Sequence, residues 1–343
     1  MTMPLMYREA LQAPKRMRIQ LNELATPLER LVKHLHQHPP KLVVVCGRGS
    51  SDHAGVYLRY LIELGLGIPT TSATPSILSI YGTETNLSDS LVILISQSGQ
   101  SPDLVNYAQM AKRRGAFTLG LINSYENAPL SAHCDVVLPL HAGIEQSVAA
   151  TKSYVCTLMA SLQLVAAWSG NEALQAALQK LPDDVAKVSS LDWSMAMNKL
   201  VDTRRMLVLG RGPGRGIANE SALKFKETCS LHAEAFSSAE VLHGPLAMIG
   251  SGFPVLVFDQ GDAASMSIRE SVSRLTKAGA DVLFAGANAP QGTTGLPVLE
   301  GLHPWCALVT QIQSAYLMTA RLSLQRGYNP DAPQFIAKVT KTL

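Results

Sequence analysis

Two stretches far apart in the chain carry the same signature. Leu42-Val-Val-Val-Cys-Gly-Arg-Gly49 returns as Met206-Leu-Val-Leu-Gly-Arg-Gly212, which sets Gly47 and Gly210 163 positions apart. The same offset lays the apolar run Leu91–Ser96 over Pro254–Asp259. Arg113-Arg-Gly-Ala116 with Thr118–Asn123 then mirrors Lys277-Ala-Gly-Ala280 with Val282–Asn288 at an offset of 164. Three matches in one register mean that an α/β unit is duplicated, not that a short-period solenoid is stacked. In each half apolar strands alternate with helical stretches, so the expected fold class is α/β, with two tandem domains, each a doubly wound parallel sheet flanked by helices.

The organisation expected from this pattern runs as follows. Residues 1–40 form an N-terminal helical segment, with Tyr7 to about Leu35 helical and His38-Pro-Pro40 stopping it. Residues 41–170 form the first domain and residues 171–199 a helical bridge, broken at Leu181-Pro-Asp-Asp184. Residues 200–327 form the second domain, and a tail over 328–343 contains Pro330 and Pro333. With 343 residues, 47% of them hydrophobic, the chain can bury two cores.

The most chemically informative segment is Leu91-Val-Ile-Leu-Ile-Ser-Gln-Ser-Gly-Gln-Ser-Pro-Asp103. A buried strand breaks into Ser96, Gln97, Ser98, Gly99 and Ser101, and a helix follows over Asp103–Arg114. Small hydroxyls and a glycine delivered to a helix N-terminus make an anion cradle, because backbone N–H groups and the helix dipole both favour negative charge there. The loop has no Lys or Arg, so it suits a sugar phosphate better than a nucleoside triphosphate, which calls for a P-loop lysine. A Ser-rich turn that merely caps a helix is the alternative. In the second copy Asp259-Gln-Gly-Asp262 replaces Ser96-Gln-Ser-Gly99, and an acidic loop repels phosphate; only the first half should hold it.

Gly47-Arg-Gly-Ser-Ser51 resembles a dinucleotide-binding turn but fails its requirements. Position 52 is Asp where a third glycine is needed, and Ile68-Pro-Thr-Thr-Ser-Ala73 offers no acid for a ribose. Gly49, Ser50 and Ser51 read instead as a second wall of the phosphate or sugar pocket, or as a plain strand-to-helix turn. The densest titratable cluster is Asn219-Glu-Ser-Ala-Leu-Lys-Phe-Lys-Glu227, where Glu220, Lys224 and Glu227 share one helix face. A solvated ion pair is one reading. A buried carboxylate beside a lysine, able to transfer protons, is the other, favoured by the apolar Ala222, Leu223 and Phe225. His232, Glu234, Glu240 and His243-Gly-Pro245 follow.

A net charge of +3 is too small and too dispersed for nucleic acid. Val155–Trp168 is interrupted by Thr157, Ser161 and Gln163 and reads as a buried helix, not a membrane span. No apolar targeting segment follows Met1, and five cysteines without a C-x-x-C read as reduced core thiols, so a cytoplasmic protein is expected. His34, His36 and His38 read as a solvated helix end and not a metal tract. His53 caps, packs or touches a sugar, and Lys152 is a pocket residue or a surface cation.

Together, Ser96-Gln-Ser-Gly-Gln-Ser101, Glu145-Gln-Ser-Val-Ala-Ala-Thr-Lys152, Glu220–Glu227, His232-Ala-Glu-Ala235, His243-Gly-Pro245 and Ala337-Lys-Val-Thr340 resemble the sugar isomerase (SIS) superfamily over nearly the whole chain. The likeness is to the isomerase half of glucosamine-6-phosphate synthase and to stand-alone relatives that include SIS-type glucosamine-6-phosphate deaminases. The resemblance implies phosphate binding by Ser51, Ser96, Gln97, Ser98 and Ser101 and a backbone sugar contact at Val148. It implies that Glu227 is the base shuttling a proton between C1 and C2, with Glu220 and Lys224 in support. It implies that His243 opens the sugar ring from the neighbouring subunit of a homodimer, and that Lys338 matches a Schiff-base lysine.

Two departures modify these expectations. The synthase carries a glutaminase domain with a nucleophilic cysteine at its start, whereas this chain begins Met1-Thr-Met-Pro4 and its earliest cysteine is Cys46. Glutamine is therefore not the expected nitrogen source, and the expected direction is degradative. The tail also reads one residue shorter than the synthase's Lys-Ser-Val-Thr. The expected activity is deamination of glucosamine 6-phosphate to fructose 6-phosphate and ammonia, with no metal or redox cofactor. The alternatives are a galactosamine-phosphate deaminase or aldose–ketose isomerase, a fructosamine-phosphate deglycase, or a sugar-phosphate sensor without catalysis. No partner other than the sugar phosphate and a second copy of the chain is expected, neither nucleic acid nor membrane.

Overall fold

Strands and helices alternate twice over in this computed structural model, which describes residues 3–338. Three helices lead the chain, α1 (Leu5–Ala10), α2 (Ala13–Glu23) and α3 (Ala25–Gln37), where the sequence had pointed to one. The cause is local. Pro14 and Pro27 lie in the first turns of α2 and α3, where a missing N–H costs nothing, but neither could continue a helix from the preceding turn.

The first half then runs β1 (Leu42–Cys46), α4 (Ser50–Leu66), β2 (Thr70–Ser72), α5 (Pro75–Ser79), β3 (Ser90–Ser96), α6 (Pro102–Arg113), β4 (Phe117–Ile122), β5 (Val136–Pro139) and α7 (Lys152–Ser169). After α8 (Glu172–Lys187) and α9 (Ser194–Leu200) the pattern repeats. It runs β6 (Arg205–Gly210), α10 (Gly214–Cys229), β7 (His232–Ser237), β8 (Pro254–Phe258), α11 (Ser265–Lys277), β9 (Asp281–Ala285), β10 (Thr294–Leu296) and α12 (Pro304–Gln325). Both five-stranded sheets are parallel, ordered β2-β1-β3-β4-β5 and, read from the equivalent edge, β7-β6-β8-β9-β10. The duplicated signature thus marks a duplicated topology. Gly47 and Gly210 end equivalent strands, and a Cβ there would lie 2.8 Å from the Ser51 carbonyl carbon or 2.2 Å from the Gly214 oxygen. The same close approach of helix to strand explains both glycines.

The chain divides into two compact units. One comprises residues 13–145, 152–179 and 336–338 of those described; the other comprises residues 3–12, 146–151 and 180–335. In the first, Val44, Cys46, Val92 and Leu94 pack against Leu104, Tyr107 and Met110 of α6. The same unit buries α7 against α4, α2 and α3. Two of its polar residues are absorbed locally, as Thr157 and Ser161 donate to the carbonyls four residues back, while Gln163 donates to Gln20 of α2. Among the described residues no helix is long and apolar enough to cross a membrane. In the second unit, Leu207, Val255, Val257 and Phe284 pack on Ile268, Val272 and Leu275 of α11.

One expectation fails in the bridge. Leu181-Pro-Asp-Asp184 does not break the helix: α8 runs through Pro182, and the chain is interrupted only after Lys187, by a short 3₁₀ turn at Val188–Ser190. An interior proline costs about 3 kcal/mol. Leu174, Leu178, Leu181 and Val185 form a continuous buried stripe along α8, and that burial outweighs the lost hydrogen bond.

Candidate active site

Order 2-1-3-4-5 places a topological switch between β1 and β3, where chain crossings depart to opposite faces of the sheet and ligands of such folds bind. The loops Gly47–Ser51 and Ser96–Ser101 leave the carboxyl ends of these two strands. Ser96 Oγ accepts from Gly99 N at 2.9 Å and Ser98 Oγ from Gln100 N at 3.3 Å, which curls the second loop around its hydroxyls. Gly99 has φ +65°, and a Cβ on it would lie 2.6 Å from Ala128 Cβ, so this turn admits only glycine. Ser101 occupies the cap position of α6 without making a side-chain cap bond. Its hydroxyl stands at a helix N-terminus uncommitted to capping, as an anion cradle requires.

The electrostatics of the cradle depend on a residue the sequence reading passed over. Asp103, in the first turn of α6, is fully buried and would repel an anion. Arg48 Nε pairs with its Oδ2 at 2.6 Å, tying the β1 loop to α6 and compensating that charge. Gly49, Ser50 and Ser51 lie beside it at the start of α4, where Ser51 N donates to the Arg48 carbonyl at 3.0 Å.

The equivalent crossing in the second unit is filled by its own side chains. Asp259 Oδ1 accepts from Gly261 N at 3.0 Å and from Ser265 Oγ at 2.5 Å. Asp262 Oδ1 accepts from Ala264 N at 2.9 Å, and Gln260 Nε2 donates to the Arg211 carbonyl and to Asp262.

The charged face of α10 is buried, not solvated. Glu220 and Lys224 are 0% and 1% exposed at their side chains, while Glu227 is 21% exposed. Lys224 Nζ lies 3.4 Å from Glu220 Oε1 and hydrogen-bonds Glu227 Oε2. Tyr316 of α12 donates its hydroxyl to Glu220 Oε1 at 3.0 Å. Burial opposes the charge on Lys224, but Glu220 and Glu227 outweigh it and hold its pKa above the ordinary lysine value. The result is a chain of alternating charge whose outermost member, Glu227, is the one open to solvent. His243 is exposed, on a 3₁₀ turn over Glu240–His243. His232, Glu234 and Glu240 are also exposed.

The Glu145–Lys152 segment supplies residues that sequence reasoning left without a role. In the first unit Glu145, fully buried at its side chain, accepts from Ser153 N at 3.1 Å and Ser153 Oγ at 2.6 Å, and pairs with Lys338 Nζ at 2.9 Å. Lys338 is thus tied to a buried carboxylate; the Val339-Thr340 part of its motif lies outside the described residues. Lys152, left open between pocket and surface, is buried and donates to the Ile144 carbonyl at 2.5 Å. In the second unit Val148 is half-buried, and Glu9 of α1 accepts from Gln146 N and Ser147 N.

Other candidates resolve as structure. His34 stacks on Phe117 with centroids 4.2 Å apart, and His36 Nε2 meets the Trp168 carbonyl at 3.0 Å. Burial pushes the Cys46, Cys134 and Cys306 thiols up to about 12 and Cys229 to about 11, which suits core residues and not nucleophiles. Among the described residues no three His, Cys, Asp or Glu side chains gather as a metal ion needs.

Residues 38–167 and 199–284 match the SIS domain family, and the chain belongs to it. A glutamine–fructose-6-phosphate aminotransferase (isomerizing) of Sulfurisphaera tokodaii is 29% identical over 340 residues, spanning 97% of this chain and 56% of that protein. The chain therefore spans about half the length of the curated relatives it matches. A crystal structure from Silicibacter pomeroyi, provisionally assigned as a phosphosugar isomerase, superposes with a TM-score of 0.91 at 38% identity, covering 96% of this chain and all of that one. The glucosamine-6-phosphate deaminase of Thermotoga maritima shares the fold at a TM-score of 0.73 and 21% identity, over 96% of this chain and 100% of that one.

Proposed function

We propose that the chain is a phosphosugar isomerase that acts as a deaminase on glucosamine 6-phosphate, yielding fructose 6-phosphate and ammonia. The observation that carries the reading is the α10 charge chain: a solvent-accessible carboxylate, Glu227, hydrogen-bonded to a fully buried lysine. A carboxylate so held can accept one proton and return it, as an aldose–ketose shuttle demands. The related aminotransferases are isomerizing enzymes of fructose 6-phosphate, and a protein of the same fold is a glucosamine-6-phosphate deaminase.

In this reading the phosphate docks on Ser96, Gln97, Ser98, Ser101 and Ser51, and the Val148 backbone contacts the sugar. His243, donated by the partner in a homodimer, assists ring opening to the aldehyde. Glu227 removes the C2 proton; the C2–C1 double bond forms as the aldehyde oxygen takes a proton, giving an enolamine. Lys224 steadies the developing oxyanion. Glu227 then returns its proton to C1, leaving an imine at C2, and water hydrolyses the imine to the ketone and ammonia. Lys338, committed to Glu145, serves as a cation and not as a Schiff-base nucleophile.

The test is ammonia release from glucosamine 6-phosphate, with fructose 6-phosphate followed in parallel, for the wild type and Glu227→Gln. Stoichiometric products from the wild type and a loss of about 10³-fold in kcat for the variant are expected. Silence from folded wild type sinks the substrate assignment, and ketose formation without ammonia from a neutral aldose phosphate makes the protein a plain isomerase.

A further inference from the structure

A second carboxylate, outside the charged face of α10, is held in an unusual way. Glu9 of α1 is 2% exposed, and its Oε1 and Oε2 accept from two consecutive backbone N–H groups, Gln146 N at 2.8 Å and Ser147 N at 3.0 Å. Successive amides converging on one anion form a nest, and both bonds are charge-assisted. The helix that carries Glu9 is fixed at each end. Asp331 accepts from Leu5 N and Met6 N, both at 2.6 Å, and Gln313 of α12 donates to the Ala10 carbonyl at 2.8 Å. Met6 and Ala10, with no exposed surface, bury the remaining face of α1, which packs on α12. Glu9 is therefore a rigid anion delivered to a loop whose backbone has no strand or helix to hold it.

We infer that Glu9 is a positioning residue for sugar recognition: it fixes the backbone of residues 146–148 so that Val148 presents its main chain to the sugar. The inference rests on the functional reading above, in which Val148 contacts the sugar. It separates two parts of binding, since phosphate recognition belongs to the serine loops and Glu9 bears only on the sugar part. Loss of the carboxylate should weaken sugar-phosphate binding without weakening inorganic phosphate.

The experiment compares wild type, Glu9→Gln and Glu9→Asp in calorimetric titrations with fructose 6-phosphate and with inorganic phosphate. Hydrogen exchange is followed in parallel over peptides covering residues 144–150. Glutamine keeps the shape but sets an NH₂ against one of the two backbone donors; aspartate keeps the charge on a shorter arm. Expected are a roughly tenfold weaker affinity of Glu9→Gln for fructose 6-phosphate, an unchanged affinity for phosphate, and faster exchange confined to these peptides. Glu9→Asp should fall between the two. Unchanged exchange in Glu9→Gln overturns the inference, and so does equal weakening of both ligands. A wild type that binds fructose 6-phosphate no better than phosphate overturns the sugar-contact reading and the role of Glu9 in it, while the exchange data still report whether the carboxylate holds the loop.

Discussion

The loops after β3 and β8 occupy equivalent places in two copies of one topology, yet they have opposite character. After β3 the side chains are hydroxyls that fold the loop through backbone amides, and Arg48 compensates the buried Asp103. After β8 two aspartates and Gln260 satisfy the loop from within, and Gln260 reaches across to the Arg211 carbonyl of the β6 loop. The fold builds the crevice twice, and its side chains decide whether the crevice is left for a ligand. The charged residues differ in the same way: α10 carries the Glu220–Lys224–Glu227 chain, while the equivalent helix α4 begins Ser50-Ser-Asp-His53 and supports the cradle. The two halves thus share one topology and differ in the side chains set around it, a hydroxyl-lined loop after β3 in one and the Glu220–Lys224–Glu227 chain on α10 in the other.

The largest effect should come from breaking the charged half. Lys224→Met would remove the cation between two carboxylates and leave Glu220, with no exposed side-chain surface, uncompensated. Loss of one partner from a buried pair costs about 3–5 kcal/mol, so the denaturation midpoint should fall steeply. Fluorescence-detected urea unfolding checks this, and a midpoint within error of wild type would mean that the α10 chain is not the buried network described.

The cradle offers the matching test in the first half. Gly99→Ala must place a side chain at φ +65° with its Cβ against Ala128. The conformational cost alone is about 1–2 kcal/mol, and the contact with Ala128 adds to it. The loop should relax, and inorganic phosphate should bind at least about tenfold more weakly, with a much smaller change in global stability than Lys224→Met. Titration calorimetry reads the first, thermal unfolding the second. Undiminished phosphate binding would remove the distinction between the two loops.

What the sequence made legible follows the range of the interactions. Strands and the shared face of Glu220, Lys224 and Glu227 are written in local spacing, the duplication in a repeated local pattern, and the structure has them. Pro182 reads as a break in the sequence because its cost is local, whereas the compensating stripe of Leu174, Leu178, Leu181 and Val185 takes effect only once packed. The partners that tune the candidate site were invisible for the same reason. Tyr316 reaches Glu220 across 96 positions, Lys338 reaches Glu145 across 193 and Glu9 reaches Gln146 across 137. No periodicity encodes such pairs.

The smallest expected effect distinguishes the long helices that follow the last strand of each half. α12 begins at His303, whose Nδ1 accepts from Trp305 N at 3.2 Å. α7 begins at Lys152, a buried cation whose Nζ donates to the Ile144 carbonyl, with no imidazole at its start. A ring nitrogen can accept only while the imidazole is neutral, and burial holds the pKa of His303 below its ordinary value of 6.5. With the folded pKa below the unfolded one, folding favours the neutral ring. That contribution is whole above the unfolded value and is lost as pH falls through the folded value. His303→Asn keeps a capping oxygen without a titrating group. The thermal midpoint of wild type relative to His303→Asn should therefore hold steady near pH 7.5 and decline below about pH 6.5. Parallel acid curves for the two proteins would show that the start of α12 owes nothing to the neutral ring.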